Sequence, residues 1–291
     1  MSSTPSAAPD DPTPADPRAA VTPAPKVFVR VPDDVARAKY ERKRAHWTWV
    51  PSQGHLYGGA FPGGEVVISP MTTAEEKILQ QAGKDRLEIV DTLIQRCLVS
   101  CPVKYEDLLL PDMFYLLLAV RNVTYGPNYI MRLTCARCDT EHVKTLQVPT
   151  DLELRCLDES DEGEPWEVLL PDCQKRVHFR HLRVKDETDI RKWSRQSYSR
   201  SQQIGDPAYQ YRIAKHITAI NGAEVNGVQK LEFVEDMIGG DSLVLRRAIQ
   251  KKEFGVRLLL DSSCPRCGHE EKTQLPFDRE FFHPSDSASA A

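Results

Sequence analysis

The sequence predicts an α+β protein, a mostly helical body with short strands, on three observations. Of its 291 residues 41% are apolar, enough to bury a core. Apolar residues recur at helical spacing after residue 72 and again after residue 186. Short strand-like segments flank two copies of one phrase, Cys135-Ala-Arg-Cys138 and Cys264-Pro-Arg-Cys267, as strands flank the tip of a hairpin.

The elements follow in order. Residues 1–25 hold seven prolines among Ala, Ser, Thr and Asp, a composition that buries too little apolar surface to offset chain entropy. Residues 1–45 are therefore expected as a disordered or extended arm, and residues 284–291 as a disordered tail. From Trp49 to Ile68, glycines and prolines around short apolar pieces predict an extended strand and a turn. Thr72 with Glu75 and Thr73 with Glu76 make two overlapping capping boxes at a helix start. A second helix places Leu87, Val90, Ile94, Cys97 and Leu98 at helical spacing, which makes Cys97 a small core residue and not a reactive thiol. Pro111 starts a third helix carrying Phe114, Leu117, Leu118 and Val120, which ends at Thr124 to Asn128. Residues 46–150 thus form an N-terminal helical half ending in the first C-x-x-C hairpin, with its strands at Tyr129 to Thr134 and Val143 to Val148.

Residues 151–283 are expected as a strand-helix insertion followed by the second hairpin. Residues 151–172 hold nine acids against one arginine, and residues 174–200 nine Lys and Arg against three acids, beginning with an alternating strand from Arg176 to His181. Two solvated faces of opposite sign fit this pattern, and so does an electrostatic docking surface. Beyond Asp186 the pattern is helical, including Tyr209 to Ile220 with Ile213 and Ile217 on one stripe, and Asn221-Gly222 makes a turn. Short helices are expected at Leu231 to Ile238 and Ser242 to Lys252, before Gly255 releases the chain into strands at Val256 to Leu260 and Glu271 to Leu275.

The cysteines carry the clearest chemistry. Zinc takes four thiolates in a tetrahedron, and two facing C-x-x-C tips supply them, so Cys135, Cys138, Cys264 and Cys267 are the candidate ligands of one structural zinc. The fold is then two zinc-knuckle hairpins joined in a split zinc ribbon. The 125 residues between the pairs exceed the usual 15 to 20, but three doublings of loop length cost only about 2 kcal/mol. Structural zinc contributes on the order of 10 kcal/mol or more. A redox pair, two unconnected reduced pairs, and two separate metal sites completed by His142 and His269 are the competing readings. Arg137 and Arg266 inside the pairs place positive charge near the thiolates or are plain surface residues. Cys101, Cys156 and Cys173 show no ligand spacing.

Other chemistry is sparse. His178 and His181 fall on opposite faces of a strand, and the sequence has no phosphate-binding glycine loop, nucleophile elbow or H-E-x-x-H. The acidic stretch Asp158 to Glu164 lacks the ligand spacing of a calcium loop. Four thiolates close the metal shell, which argues against a catalytic zinc, and the expectation is a protein that is not an enzyme and has no small-molecule substrate. Net charge of -4 and pI near 6.1 give no global field for nucleic acid. A chain without an apolar run of membrane-spanning length and without a signal segment is expected in a cytoplasm.

The order of motifs also resembles a known family. Trp49-Val-Pro-Ser-x-Gly-x-Leu-Tyr57, Ile68-Ser-Pro-Met-Thr-Thr-Ala-Glu-Glu-Lys77, Ile94-Gln-Arg-Cys-Leu98, Asp107-Leu-Leu-Leu110 and Leu118-Ala-Val-Arg-Asn-Val-Thr-Tyr-Gly126 look like the T-even-type baseplate hub assembly family of myophages and contractile injection systems. Cys264-Pro-Arg-Cys-Gly268 and Leu275-Pro-Phe-Asp-Arg-Glu-Phe-Phe282 resemble its larger, cysteine-bearing members. The resemblance covers roughly residues 47–283 and brings no catalytic residue. It implies a structural or assembly role, through contacts with baseplate hub, spike or tail-tube proteins, in the cytoplasm during assembly or within the particle. The rival expectation is a zinc-ribbon nucleic-acid-binding regulator.

Overall fold

The structure is a computed structural model that describes residues 45–79, 86–161, 163–198, 206, 208–276 and 279–282. The tail expected at 284–291 and all of the expected arm except Ala45 lie outside the described residues.

The first layer is a three-stranded antiparallel sheet of β1 (His46–Trp49), β2 (Glu65–Ile68) and, farther along the chain, β3 (Leu98–Ser100). Its middle strand buries Val66, Val67 and Ile68 in succession, because neighbours cover both of its faces. Helix α1 (Thr73–Leu79) starts at the first of the two predicted capping boxes. The Thr72 N–H donates to Glu75 Oε2 at 3.0 Å and the Ala74 N–H to Thr72 Oγ1 at 3.3 Å. Glu76 has another use, accepting the Tyr125 hydroxyl at 2.7 Å. Helix α2 (Arg86–Cys97) buries Val90, Ile94 and Cys97 as expected. It ends one residue short of the prediction, because Leu98 leaves the helix and pairs with Ile68 as the start of β3.

Helix α3 (Leu110–Tyr125) is the axis of the main core. It buries Met113 and the whole run Tyr115 to Arg121, so its periodicity is that of a helix covered on nearly all sides. Gly126, at φ 82°, caps it through a 2.8 Å bond to the Asn122 carbonyl. The chain then forms the hairpin of β4 (Asn128–Thr134) and β5 (Glu141–Gln147), whose inner face adds Tyr129, Met131, Leu133 and Leu146 to the same core.

After the short strand β6 (Leu154–Arg155), a second unit is built on β7 (Trp166–Leu170) and β8 (Lys175–Phe179), helices α4 (Val184–Tyr198) and α5 (Ala208–His216), and strands β9 (Ile217–Ile220) and β10 (Ala223–Glu224). Its antiparallel sheet has the order β10-β9-β8-β7. Helices α6 (Gly227–Glu235) and α7 (Gly239–Lys251) complete it around a separate core of Trp166, Leu170, Val177, Phe179, Ile213, Ile217, Val234 and Leu245. The helix expected from Tyr209 to Ile220 therefore stops at His216. Ile217-Thr-Ala-Ile220 is rich in β-branched residues and leads into Asn221 (φ 51°) and Gly222 (φ 77°), a tight hairpin turn that sets β9 against both β8 and β10. Helix α6 starts four residues before the expected Leu231. Asn226 accepts from the backbone of Val228 and Gln229 while Gln229 Oε1 accepts from Asn226, a capping box written in the sequence.

The strand expected from Val256 to Leu260 is two strands. β11 (Gly255–Val256) pairs with β6, and β12 (Leu259–Ser263) pairs with β13 (Glu270–Gln274), followed by α8 (Arg279–Phe282). Gly255, at the start of β11, passes close to the start of α3, where a Cβ would lie 2.8 Å from that of Pro111. The acidic and basic runs fold against each other, Arg183 pairing with Glu164 at 2.7 Å and Arg176 with Glu167 at 2.7 Å, while within the basic run Arg180 makes a two-pronged contact with Asp186. Several of these charges thus neutralise one another within the fold, a third arrangement beside the two expected ones.

Candidate metal centre

The two C-x-x-C phrases occupy matching hairpin tips. The ladders close at Thr134↔Glu141 and Ser263↔Glu270. In each tip the first cysteine N–H donates across the turn, Cys135 to the Thr140 carbonyl at 3.0 Å and Cys264 to the His269 carbonyl at 2.9 Å. In each the residue after the second cysteine donates back to the first cysteine's carbonyl, from Asp139 at 3.0 Å and from Gly268 at 2.9 Å. Both of those residues have positive φ, 53° and 66°, so each tip closes through the same left-handed step.

The tips meet. Cys135 Sγ lies 3.6 Å from Cys267 Sγ, Cys138 Sγ lies 3.6 Å from Cys264 Sγ, and all four sulfurs are within 4.8 Å of one another. A tetrahedral zinc with bonds of about 2.3 Å puts its sulfurs about 3.8 Å apart, so the donor type and spacing fit such an ion. The sulfurs are too far apart for a disulfide of about 2.05 Å, and all four cysteines are free. One sulfur of each pair comes from a buried residue, Cys135 or Cys264, and the other from a half-exposed one, Cys138 or Cys267.

The surroundings act on the two half-exposed thiols in opposite directions. Hydrogen bonding to Thr140, through its hydroxyl and then its backbone, draws the Cys138 thiol down to about 6. At Cys267 a backbone hydrogen bond to His269 acts in the same direction, but desolvation and the crowding of Cys138, Cys135 and Cys264 outweigh it and push that thiol up to about 12. Several negative sulfurs this close together are stable only when a cation shares them. The Arg137 backbone N–H points at Cys135 Sγ at 3.4 Å, and the Arg266 guanidinium reaches across to the opposite tip, donating to Thr140 Oγ1 at 3.2 Å. Neither His142 nor His269 joins the four-sulfur cluster. His142 turns Nδ1 toward the Thr140 carbonyl at 3.4 Å, and His269 provides a backbone carbonyl to its own tip. Thr140 is the residue that the sequence did not single out; its place two residues after Cys138 is the only local signal.

Three residues of the resembling motifs, Ser52, Tyr57 and Arg121, are used in packing, together with Asp112. Asp112, with no exposed surface, accepts the Ser52 N–H at 2.9 Å and the Tyr57 hydroxyl at 2.7 Å, and Tyr57 oxygen in turn accepts the Leu109 N–H at 2.8 Å. Burial pushes the Asp112 carboxyl up to about 6 against these hydrogen bonds. Arg121, 1% exposed, donates to the carbonyls of Gly126, of Asn128 at 2.6 Å and of Phe281 at 3.4 Å, and lies against the Tyr129 and Phe281 rings. It ties the end of α3 to β4 and to α8.

A family model described as T4 bacteriophage base plate protein matches residues 50–283. No curated protein and no solved structure matches the chain.

Proposed function

We propose that this chain, which belongs to the T4 bacteriophage base plate protein family, is a non-enzymatic structural or assembly protein of a contractile-tail baseplate. It acts by contact with hub, spike or tail-tube proteins and is held in shape by one structural zinc on Cys135, Cys138, Cys264 and Cys267. The observation that carries the reading is the family match over 50–283, joined to the way the motif residues Ser52, Tyr57 and Arg121 are spent: with Asp112 they fasten elements together. The metal would join the end of the 46–150 half to the end of the 151–283 half, fixing the relative placement of the surfaces that a partner reads. Such a protein meets its partners in the cytoplasm during assembly and takes its place in the particle. Among the described residues no helix is long and apolar enough to cross a membrane.

Copurification with tagged hub, spike and tube subunits, followed by cryo-EM of the assembled baseplate, tests the partner assignment. Stable binding to at least one of the three is expected, and binding to none of them would sink it. The nucleic-acid reading finds little support at the hairpins, whose exposed positions mix Glu141, Asp261 and Glu270 with Arg132 and Lys272. Salt-dependent DNA or RNA binding at micromolar concentration would revive it.

A further inference from the structure

The pairing of the four sulfurs suggests more than a metal cage. Each close 3.6 Å contact joins the two hairpins, and each sets a half-exposed thiol against a buried one: Cys138 of the first tip against Cys264 of the second, Cys267 of the second against Cys135 of the first. An oxidant arriving from solvent meets Cys138 and Cys267 first, and the nearest sulfur that each contact supplies as a resolving thiol belongs to the opposite hairpin.

We propose that these thiols form an oxidation site that replaces the metal with two covalent ties, Cys135 to Cys267 and Cys138 to Cys264, when the metal is removed under peroxide. The half-exposed thiol attacks hydrogen peroxide, which is reduced to water as the sulfur becomes a sulfenic acid. The buried thiol of the opposite tip then attacks that sulfur, forming the S–S bond and releasing the second water, so two thiols and one peroxide give one disulfide and two waters. The backbone hydrogen bonds that close each tip do not involve the partner hairpin, so both tips can keep their turns while the sulfurs close from 3.6 Å to about 2.05 Å. The ties would close loops that span nearly the whole interval between the hairpins, so the two halves stay joined without the metal. This proposal rests on the reading of the cluster as the clamp between those halves, but not on zinc being the ion.

The test treats the full-length protein with a zinc chelator and hydrogen peroxide, blocks remaining thiols, and maps disulfides by mass spectrometry without reduction. The expected linked peptides are Cys135–Cys267 and Cys138–Cys264, with Cys138→Ser leaving only the first. Any other pairing, above all Cys135–Cys138 and Cys264–Cys267 within the tips, overturns the proposal, as does oxidation to sulfinic acids with no crosslink. Zinc content of the untreated protein is measured separately: protein that carries zinc but links within its tips refutes only this inference, whereas zinc-free protein that links across the tips refutes only the assignment of the ion.

Discussion

Asp112 provides a prediction in which sign and size both follow from the structure. Its carboxyl is buried, holds the Ser52 and Tyr57 donors, and has its pKa pushed from an ordinary 3.8 up to about 6. Because the folded value lies above the unfolded one, the native state holds this proton more tightly, and the group's contribution falls as pH rises from about 4 to about 6. Between pH 4.5 and pH 7 that loss comes to about 2 kcal/mol. Asp112→Asn removes the titration and keeps an oxygen for the Ser52 N–H, but presents an amide donor to the Tyr57 hydroxyl. The variant should therefore be destabilised relative to the parent at pH 4.5, by about 1–3 kcal/mol for the misplaced donor. At pH 7 that deficit should shrink by about 2 kcal/mol, as only the parent carries the buried charge. Urea unfolding of both proteins at the two pH values measures this. A deficit that is equal at the two values, or larger at pH 7, would refute the account of the Ser52–Tyr57–Asp112 network.

Three other substitutions probe two separate parts of the fold. His181 is buried between the Trp166 and Phe254 rings with its pKa lowered to about 4, chiefly by desolvation. A folded value below the unfolded one means that stability from this group is lost as pH falls from about 6.5 to 4, so His181→Phe should reduce the stability difference between pH 7 and pH 4.5 by about 2 kcal/mol in urea titrations; an unchanged difference contradicts the assignment. Gly54 has φ 83°, and a Cβ there would lie 1.6 Å from the Phe61 carbonyl oxygen. Gly54→Ala should lose several kcal/mol or fail to give folded protein by circular dichroism, whereas Gly58→Ala, with no atom near its Cβ, should lose only about 1 kcal/mol; equal effects at the two positions count against the loop geometry.

The hairpin tips were legible because local sequence states the whole device: two thiols, one turn and an alternating strand on either side. What the sequence could not state is how the two tips face each other, since the 125 intervening residues include a second core built from Trp166 to Leu245. Capping boxes are equally readable, and the Asn226–Gln229 pair marks the start of α6 four residues before Leu231. The β9 strand misled for a physical reason. Ile213 and Ile217 both face the second core, at a spacing that suits a continuous helix, but the chain changes from α5 to β9 between them. The Asp112 network was beyond local reading. Asp112 stands in the first turn of α3, where an acid is ordinary, and its partners lie 55 and 60 residues away. Arg121 is hidden similarly, as the one basic residue in an apolar helix, satisfied by carbonyls from β4 and from the far end of the chain.

The proposed clamp is one metal ion that joins the two halves of this baseplate-family protein through Cys135, Cys138, Cys264 and Cys267. Metal analysis by mass spectrometry, on protein purified under reducing conditions, tests it directly. About one zinc per chain is expected in the parent, with loss of metal and a lower unfolding midpoint in Cys264→Ser; a parent protein that carries no metal, or a variant that keeps its full zinc, would contradict it.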